Sequence, residues 1–135
     1  MANEAVLVQQ LEDRLLQSTC SGGAVIAKGA ICRLLDPNTV APTISTDTGV
    51  KFGGIAVSEK ASGDGTTTLG MWRHGVFDLT VAAGETVTAG DMVTISGANT
   101  IRRVDTALIS GGILIGRALQ DGAASEVIEI LVGAN

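Results

Sequence analysis

The chain has almost no aromatic side chains: one Trp (Trp72), two Phe (Phe52 and Phe77) and no Tyr in 135 residues. Proteins that grip single-stranded nucleic acid combine stacking aromatics with a positive field. The field is missing too: 9 Lys and Arg stand against 14 Asp and Glu, for a net charge of −5, and Arg102-Arg103 is the densest basic spot. Nucleic-acid binding is therefore excluded. The single histidine, His74, leaves no Ser/His/Asp set unless it serves itself. Set between Arg73 and Gly75, it reads as a surface or interface residue in a turn rather than a buried base. The acids are scattered singly, without the clustered His, Cys or carboxylates that a metal site needs. Ser62-Gly63-Asp64-Gly65 is too short for a calcium loop, and neither GxxxxGK[ST] nor GxGxxG is present, so no phosphate cradle is written. Catalytic, cofactor and metal sites are all expected to be absent, and the chain reads as a non-enzyme.

Other scarcities narrow the class further. Apolar runs such as Ile113-Leu114-Ile115 are far too short to span a bilayer. The N-terminus has no basic region followed by a long apolar one, so no signal peptide is expected and a cytosol-like site of synthesis is. The two cysteines, Cys20 and Cys32, form no framework. Cys32 reads as a small core hydrophobe and Cys20 as a turn residue, and their spacing leaves a disulfide between them open. Only two prolines, 17% charged and 45% hydrophobic residues exclude a disordered chain.

Glycine is what the chain has in excess: 18 residues, close to twice the average usage of ~7%. So much glycine suits tight turns, and a core of Val, Ile, Leu and Ala implies a thin layer between sheets. The stretch Gly70–Ser96 holds Trp72, His74 and Phe77 and runs into Gly84-Glu85-Thr86-Val87-Thr88-Ala89-Gly90-Asp91-Met92-Val93, the spelling of strand, turn and strand. The same phrase occurs earlier. Gly23–Leu34 lies over Gly84–Ile95 at a constant offset of 61, with Ile26/Val87, Ile31/Met92, Cys32/Val93 and Leu34/Ile95 apolar in both. Gly54-Ile55-Ala56-Val57 then matches Gly116-Arg117-Ala118-Leu119 at an offset of 62. Two related β units in tandem are expected, at about 22–80 and 83–133. Glu85 and Asp91 are replaced by Ala24 and Ala30 in the first unit, which makes them solvated turn acids rather than a working pair.

Residues 1–20 have neither Gly nor Pro and stand outside the repeat. Leu7/Val8, Leu11 and Leu15 fit a helical stripe with Asn3 as N-cap, while Val6-Leu7-Val8 alone fits a strand. Both readings stand, as do two roles: an element closing one end of the core, or an arm that pairs with a neighbouring chain. From Gly22 onward every signal is β. Strands are expected at Ala24–Ala27, Ala30–Leu35, Phe52–Val57, Thr66–Trp72, Val76–Val81, Thr86–Thr88, Met92–Ser96, Ile101–Val104, Ile113–Leu119 and Ser125–Val132, with a Thr-rich connection at Val40–Thr48 that leaves room for an edge strand and a loop at Asp105–Gly112. The glycines of Phe52-Gly53-Gly54 mark a close backbone approach. Short strands at this spacing give an all-β small barrel or sandwich. The expected organisation is an arm over 1–20 and a single β-barrel domain over 21–135.

One family resembles this order of phrases. Gly54-Ile55-Ala56-Val57-Ser58-Glu59-Lys60-Ala61, Gly75-Val76-Phe77-Asp78-Leu79, Gly84 through Asp91, and Gly116-Arg117-Ala118-Leu119 are similar, in order, to the small capsid decoration (cement) proteins of tailed bacteriophages, such as the head decoration protein of lambda-like phages. The likeness runs from about Arg14 to Val132, and Gly-Val-Phe-Asp-Leu is its most specific part. The Asp36–Val50 insertion and a long N-terminal arm depart from the pattern. The resemblance implies a β-barrel of the clip or tulip kind on the outer surface of the expanded viral head. It implies assembly in the host cytoplasm onto the virion, as a homotrimer that locks major capsid protein subunits together. It implies no cofactor, no nucleic acid, no membrane and no small-molecule substrate. A rigid, turn-rich body that works by many modest contacts suits such a role, and symmetry multiplies each contact. The capsid-binding arm would present Val6, Leu7, Val8, Leu11 and Leu15, and Trp72, Arg73 and His74 would meet a sister subunit or the shell. The alternative is a β-clip-type carrier or small-ligand module, which also uses tandem Gly-Xaa-Xaa-Val-Xaa-Xaa-Gly units. A carrier needs an exposed lysine at the tip joining its halves. Thr80-Val81-Ala82-Ala83-Gly84 has none, and Lys51 and Lys60 lie elsewhere.

Overall fold

The computed structural model describes residues 3–9, 15–104 and 112–133. Leu11 and most of the loop expected over 105–112 lie outside them. The strands are β1 (Val6–Gln9), β2 (Leu16–Cys20), β3 (Ile31–Leu35), β4 (Thr39–Pro42), β5 (Phe52–Ala56), β6 (Thr68–Trp72), β7 (Gly75–Val81), β8 (Met92–Ile95), β9 (Thr100–Arg103), β10 (Leu114–Ala118) and β11 (Val127–Val132). The all-β fold is as the sequence implies. Two separate rings close rather than one shared barrel, and the boundary between them falls at Arg73-His74 rather than near 80–83, because β7 pairs with β9 and β11 and so belongs to the second ring. The first ring runs β2-β4-β3-β5-β6, and the second runs β7-β9-β8-β10-β11, with β1 added to β7.

The two rings have the same topology strand for strand. The parallel pair β2–β4 (Thr19↔Thr39, Cys20↔Val40) has its counterpart in β7–β9 (Thr80↔Thr100, Val81↔Ile101), 61 residues on. Hydrogen bonds repeat likewise. Gly29 N donates to Ala56 O and Gly90 N to Ala118 O, both at 2.8 Å, while Thr43 N to Ile31 O recurs as Val104 N to Met92 O. Isolated bridges Ile26↔Lys60 and Val87↔Gly122 also correspond. Ala24–Ala27 and Thr86–Thr88, expected as strands, contribute only these single bridges, because the turn that follows each pulls the chain away from further pairing.

Two expectations change, and one open reading is settled. Residues 16–20 are not part of an arm: β2 is a wall of the first ring, paired with β6 along Leu16–Thr19. Of the two readings open for the N-terminal segment, the strand holds: Val6–Gln9 runs antiparallel to β7 with Leu7 opposite Phe77. The segment read as an insertion contains β4, whose partner in the second ring is β9, so only its remainder is loop. Gly54 does mark a close approach, since a Cβ there would lie 2.7 Å from Met71 Cβ. Its counterpart Gly116 faces the backbone oxygen of Leu131.

Two cores result. Cys20, Ile26, Ala30, Cys32, Val40, Ala56, Leu69 and Met71 fill the first ring. The larger core joins Phe77, Leu79, Val93, Ile95, Ile101, Ile115, Ile128 and Ile130 of the second unit to Ala5, Ile31, Phe52 and Ile55, so the outer wall of the first ring packs on the second. Polar ties cross the same boundary. Ile31 N donates to Asn99 Oδ1 at 2.8 Å, Asn99 N donates to Thr43 Oγ1 at 2.9 Å, and Gly49 N donates to Ile95 O at 2.9 Å. Asn99 is buried and holds a left-handed φ of 58°, a conformation that Asn tolerates better than most residues. Asn99→Ala leaves the Ile31 N–H buried without its acceptor. A loss of about 1–3 kcal/mol is expected, read as a lower urea midpoint with an unchanged slope.

Candidate functional site

The sequence singled out two sets of residues, and the fold brings parts of both to one place. A groove of about 710 Å³ is lined by Asn3, Glu4, Ala5, Val6, Leu7, Lys28, Gly29 and Trp72. Its floor is fixed by backbone: Ala5 N donates to Gly29 O at 2.6 Å, holding the segment before β1 against the Lys28-Gly29 turn of the first ring. Gly29 has φ +83° and a Cβ there would run into Ala5 O, so this approach requires glycine. On β1, Leu7 turns inward onto the main core, while Val6 and Val8 are 59% and 46% exposed. Two apolar side chains thus stand outward on the edge strand of the six-stranded sheet, where natural edges usually carry charge or proline. Leu15, just before β2, is also exposed.

Trp72, Arg73 and His74 connect the two rings, from the end of β6 to the start of β7. They do not form one outward face. Trp72 packs on the main core with its ring centroid 5.5 Å from that of Phe77, and it shows its remaining surface to the groove. Arg73 lies over the Phe52 ring at 5.7 Å, a cation–π contact that ties the connection to β5. His74 is exposed, close to Gly133.

Chemistry elsewhere is muted. Among the described residues no group of three His, Cys, Asp or Glu is placed to hold a metal ion. Lys60 is buried, and its Nζ donates to Ala24 O at 2.6 Å. Asp64 accepts from Ala61 N and Thr66 N at 2.8 Å, and these bonds, that from Thr66 foremost, hold its carboxyl below the usual range. It is a turn-forming side chain. Cys20 and Cys32 are both free and buried. Burial pushes the Cys32 thiol up to about 12. With almost no thiolate present at pH 8, Cys32 is expected to stay unmodified by iodoacetamide in the native protein and to react fully in denaturant, as read by intact mass.

Comparison with curated proteins finds no match. Among solved structures, the fold is similar to that in the crystal structure of the head fiber gp8.5 N base of bacteriophage phi29, with a TM-score of 0.55 at 13% identity over 88% of this chain and 92% of that one. The family model for phage cement proteins matches residues 16–134, which takes in both rings. The match covers β2 through β11 and leaves out only β1 among the strands. The chain belongs to the phage cement protein family, structural proteins that decorate and stabilise the viral capsid at its outer surface.

Proposed function

We propose that this protein binds the outer surface of the expanded head as a homotrimer and clamps neighbouring major capsid protein subunits. Family membership over both rings carries the reading. Two packed cores joined by buried polar ties make a stiff body, which transmits load between subunits without deforming. The contact residues we assign are Val6 and Val8 on the outward face of β1, the exposed Leu15, and Leu11, which lies outside the described residues, with Leu7 holding β1 in place. To these we add Trp72, which lines the groove beside Val6 and Leu7, and the exposed His74 as contacts with the shell or a sister subunit, while Arg73 ties their connection to β5.

The test is co-sedimentation of purified protein with expanded and unexpanded heads of its parent phage. Saturable binding to expanded heads, with greater resistance of those heads to heat, is the expected result. Absence of binding to either form overturns the proposal. Val6→Glu and Val8→Glu place charge on side chains that are already exposed. They are expected to weaken head binding at least tenfold, close to 1.4 kcal/mol or more, with little change in the unfolding midpoint.

A further inference from the structure

The internal duplication exposes one inequality between the rings. In the second ring, β9 pairs with β7 only at Thr80 and Val81, and the rest of that edge, Val76–Asp78, is covered by β1. In the first ring, β4 pairs with β2 only at Thr19 and Cys20. The equivalent remainder, by the 61-residue offset, is Leu15–Gln17, and no strand among the described residues covers it.

Burial follows the same division. Val76 and Phe77 are 7% and 0% exposed, whereas their counterparts Leu15 and Leu16 are 44% and 39% exposed. Leu16 heads the inward row Leu16, Ser18, Cys20 of β2, as Phe77 heads Phe77, Leu79, Val81 of β7. It is therefore a core-facing residue without its cover. The edge carries hydrogen-bonding capacity as well. Thr19 N and Ser21 N donate to Asn38 O and Val40 O, on the β4 side, so by strand alternation the Gln17 N–H points the same way. Asn38 Nδ2 already donates to Gln17 O at 3.0 Å, which, among the described residues, leaves the Gln17 N–H and the Leu15 backbone groups for a partner.

We propose that this open edge of β2 takes up an extended segment of the major capsid protein, as β7 takes up β1. The chain itself shows what fits. The strand seated on the equivalent edge is Val6-Leu7-Val8-Gln9, uncharged, with one apolar side chain turned inward opposite the row-heading residue. The receiving residues, Leu15, Leu16 and Gln17, are uncharged too. A capsid segment of alternating, uncharged residues would add main-chain bonds for affinity and seat one apolar side chain over Leu16 for register. The chain's own β1 is committed to β7, and the cement reading makes a capsid subunit the donor for this edge. The inference rests on the cement reading and names one of its contacts.

Hydrogen exchange at Leu15–Gln17 tests it, measured on free protein at two concentrations and on expanded heads saturated with it. Exchange of the Gln17 amide is expected to be fast in the free protein and to slow about 100-fold or more on heads. Binding without that slowing overturns the strand docking and leaves the cement reading standing, whereas failure to bind at all overturns both. Protection already present in the free protein also overturns it. The cover is then the chain itself, or a second copy if protection grows with concentration. Leu16→Asp is expected to weaken head binding at least tenfold. Should that variant unfold, the exchange of the unmodified protein still decides.

Discussion

Replacing Phe77 with alanine is expected to lower the stability of this protein by about 3–5 kcal/mol, the cost of emptying a fully buried aromatic site. Phe77 is 0% exposed in the middle of β7. It sits opposite Ile130 on β11 and Leu7 on β1, and its ring is tilted 55° against Trp72. One side chain therefore joins the second ring, the added N-terminal strand and the connection between the rings. The walls cannot collapse into the space, because β7 is held on one side by six paired residues of β11 and on the other by β1 and β9. A small domain has only about 5–15 kcal/mol in all, so this single change removes roughly a fifth or more. Trp72 is the only tryptophan and lies against the vacated site, so its fluorescence reports both the local change and global unfolding in one urea titration. Phe77→Leu keeps most of the volume and is expected to cost about 1.5 kcal/mol or less. A loss below 1 kcal/mol for the alanine variant would show that the core is not organised around this ring.

Much of the architecture was legible because glycine and apolar periodicity both speak locally. The alternation of Ser125–Val132 appears as β11 with Ile128, Ile130 and Val132 inside. Gly-Val-Phe-Asp-Leu is the heart of β7. The 61-residue offset between Gly23 and Gly84 is carried by equivalent turns with equivalent hydrogen bonds. What stayed illegible was the extent of the duplication and the closure of each half. In β7 the inward row is Phe77, Leu79, Val81, an unmistakable alternation. In β2 it is Leu16, Ser18, Cys20, too small and polar to show a period of two. Just ahead, Leu7, Leu11 and Leu15 imitate helical spacing. Carrying the offset back beyond Gly23 would have revealed β2, since residues 16–20 fall on 77–81. Likewise Thr39–Pro42 falls on Thr100–Arg103, which would have turned a supposed insertion into β4.

The candidate site was legible as residue types but not as a place. Val6 and Val8 read as apolar, yet only the pairing of β1 with β7 shows that they face outward while Leu7 faces the core. Trp72, Arg73 and His74 are adjacent in sequence and part company in space, because the chain turns there between rings and each side chain finds its own neighbour. Gly29, the close approach that seats the segment before β1, gave no separate signal among 18 glycines. Sequence alone cannot tell a turn glycine from one that another strand touches.

Removing residues 2–9 is expected to destabilise the body severely, and not merely to strip it of a binding arm. The deletion takes away the Ala5–Gly29 bond, the three residue pairs with β7 and the inward Leu7. A half-buried leucine and a buried alanine contribute part of the roughly 1.5–3 kcal/mol of a fully buried large aliphatic side chain. Each backbone bond adds about 0.5–1.5 kcal/mol net, and the uncovered β7 amides gain only water in return. Several kcal/mol are at stake, so the truncated chain should melt well below the intact one, and the Val76–Asp78 amides should exchange rapidly. A free edge at β7 would then match the open edge at β2, giving two sticky strands on one small protein and a tendency to aggregate. Loss of head binding by this truncation would for that reason say little about contacts. Charge placed on Val6 or Val8 says more, since those side chains leave the pairing intact. A truncated protein that melts like the intact one would show that β1 is an appendage after all, and its outward valines would then be explained by binding alone.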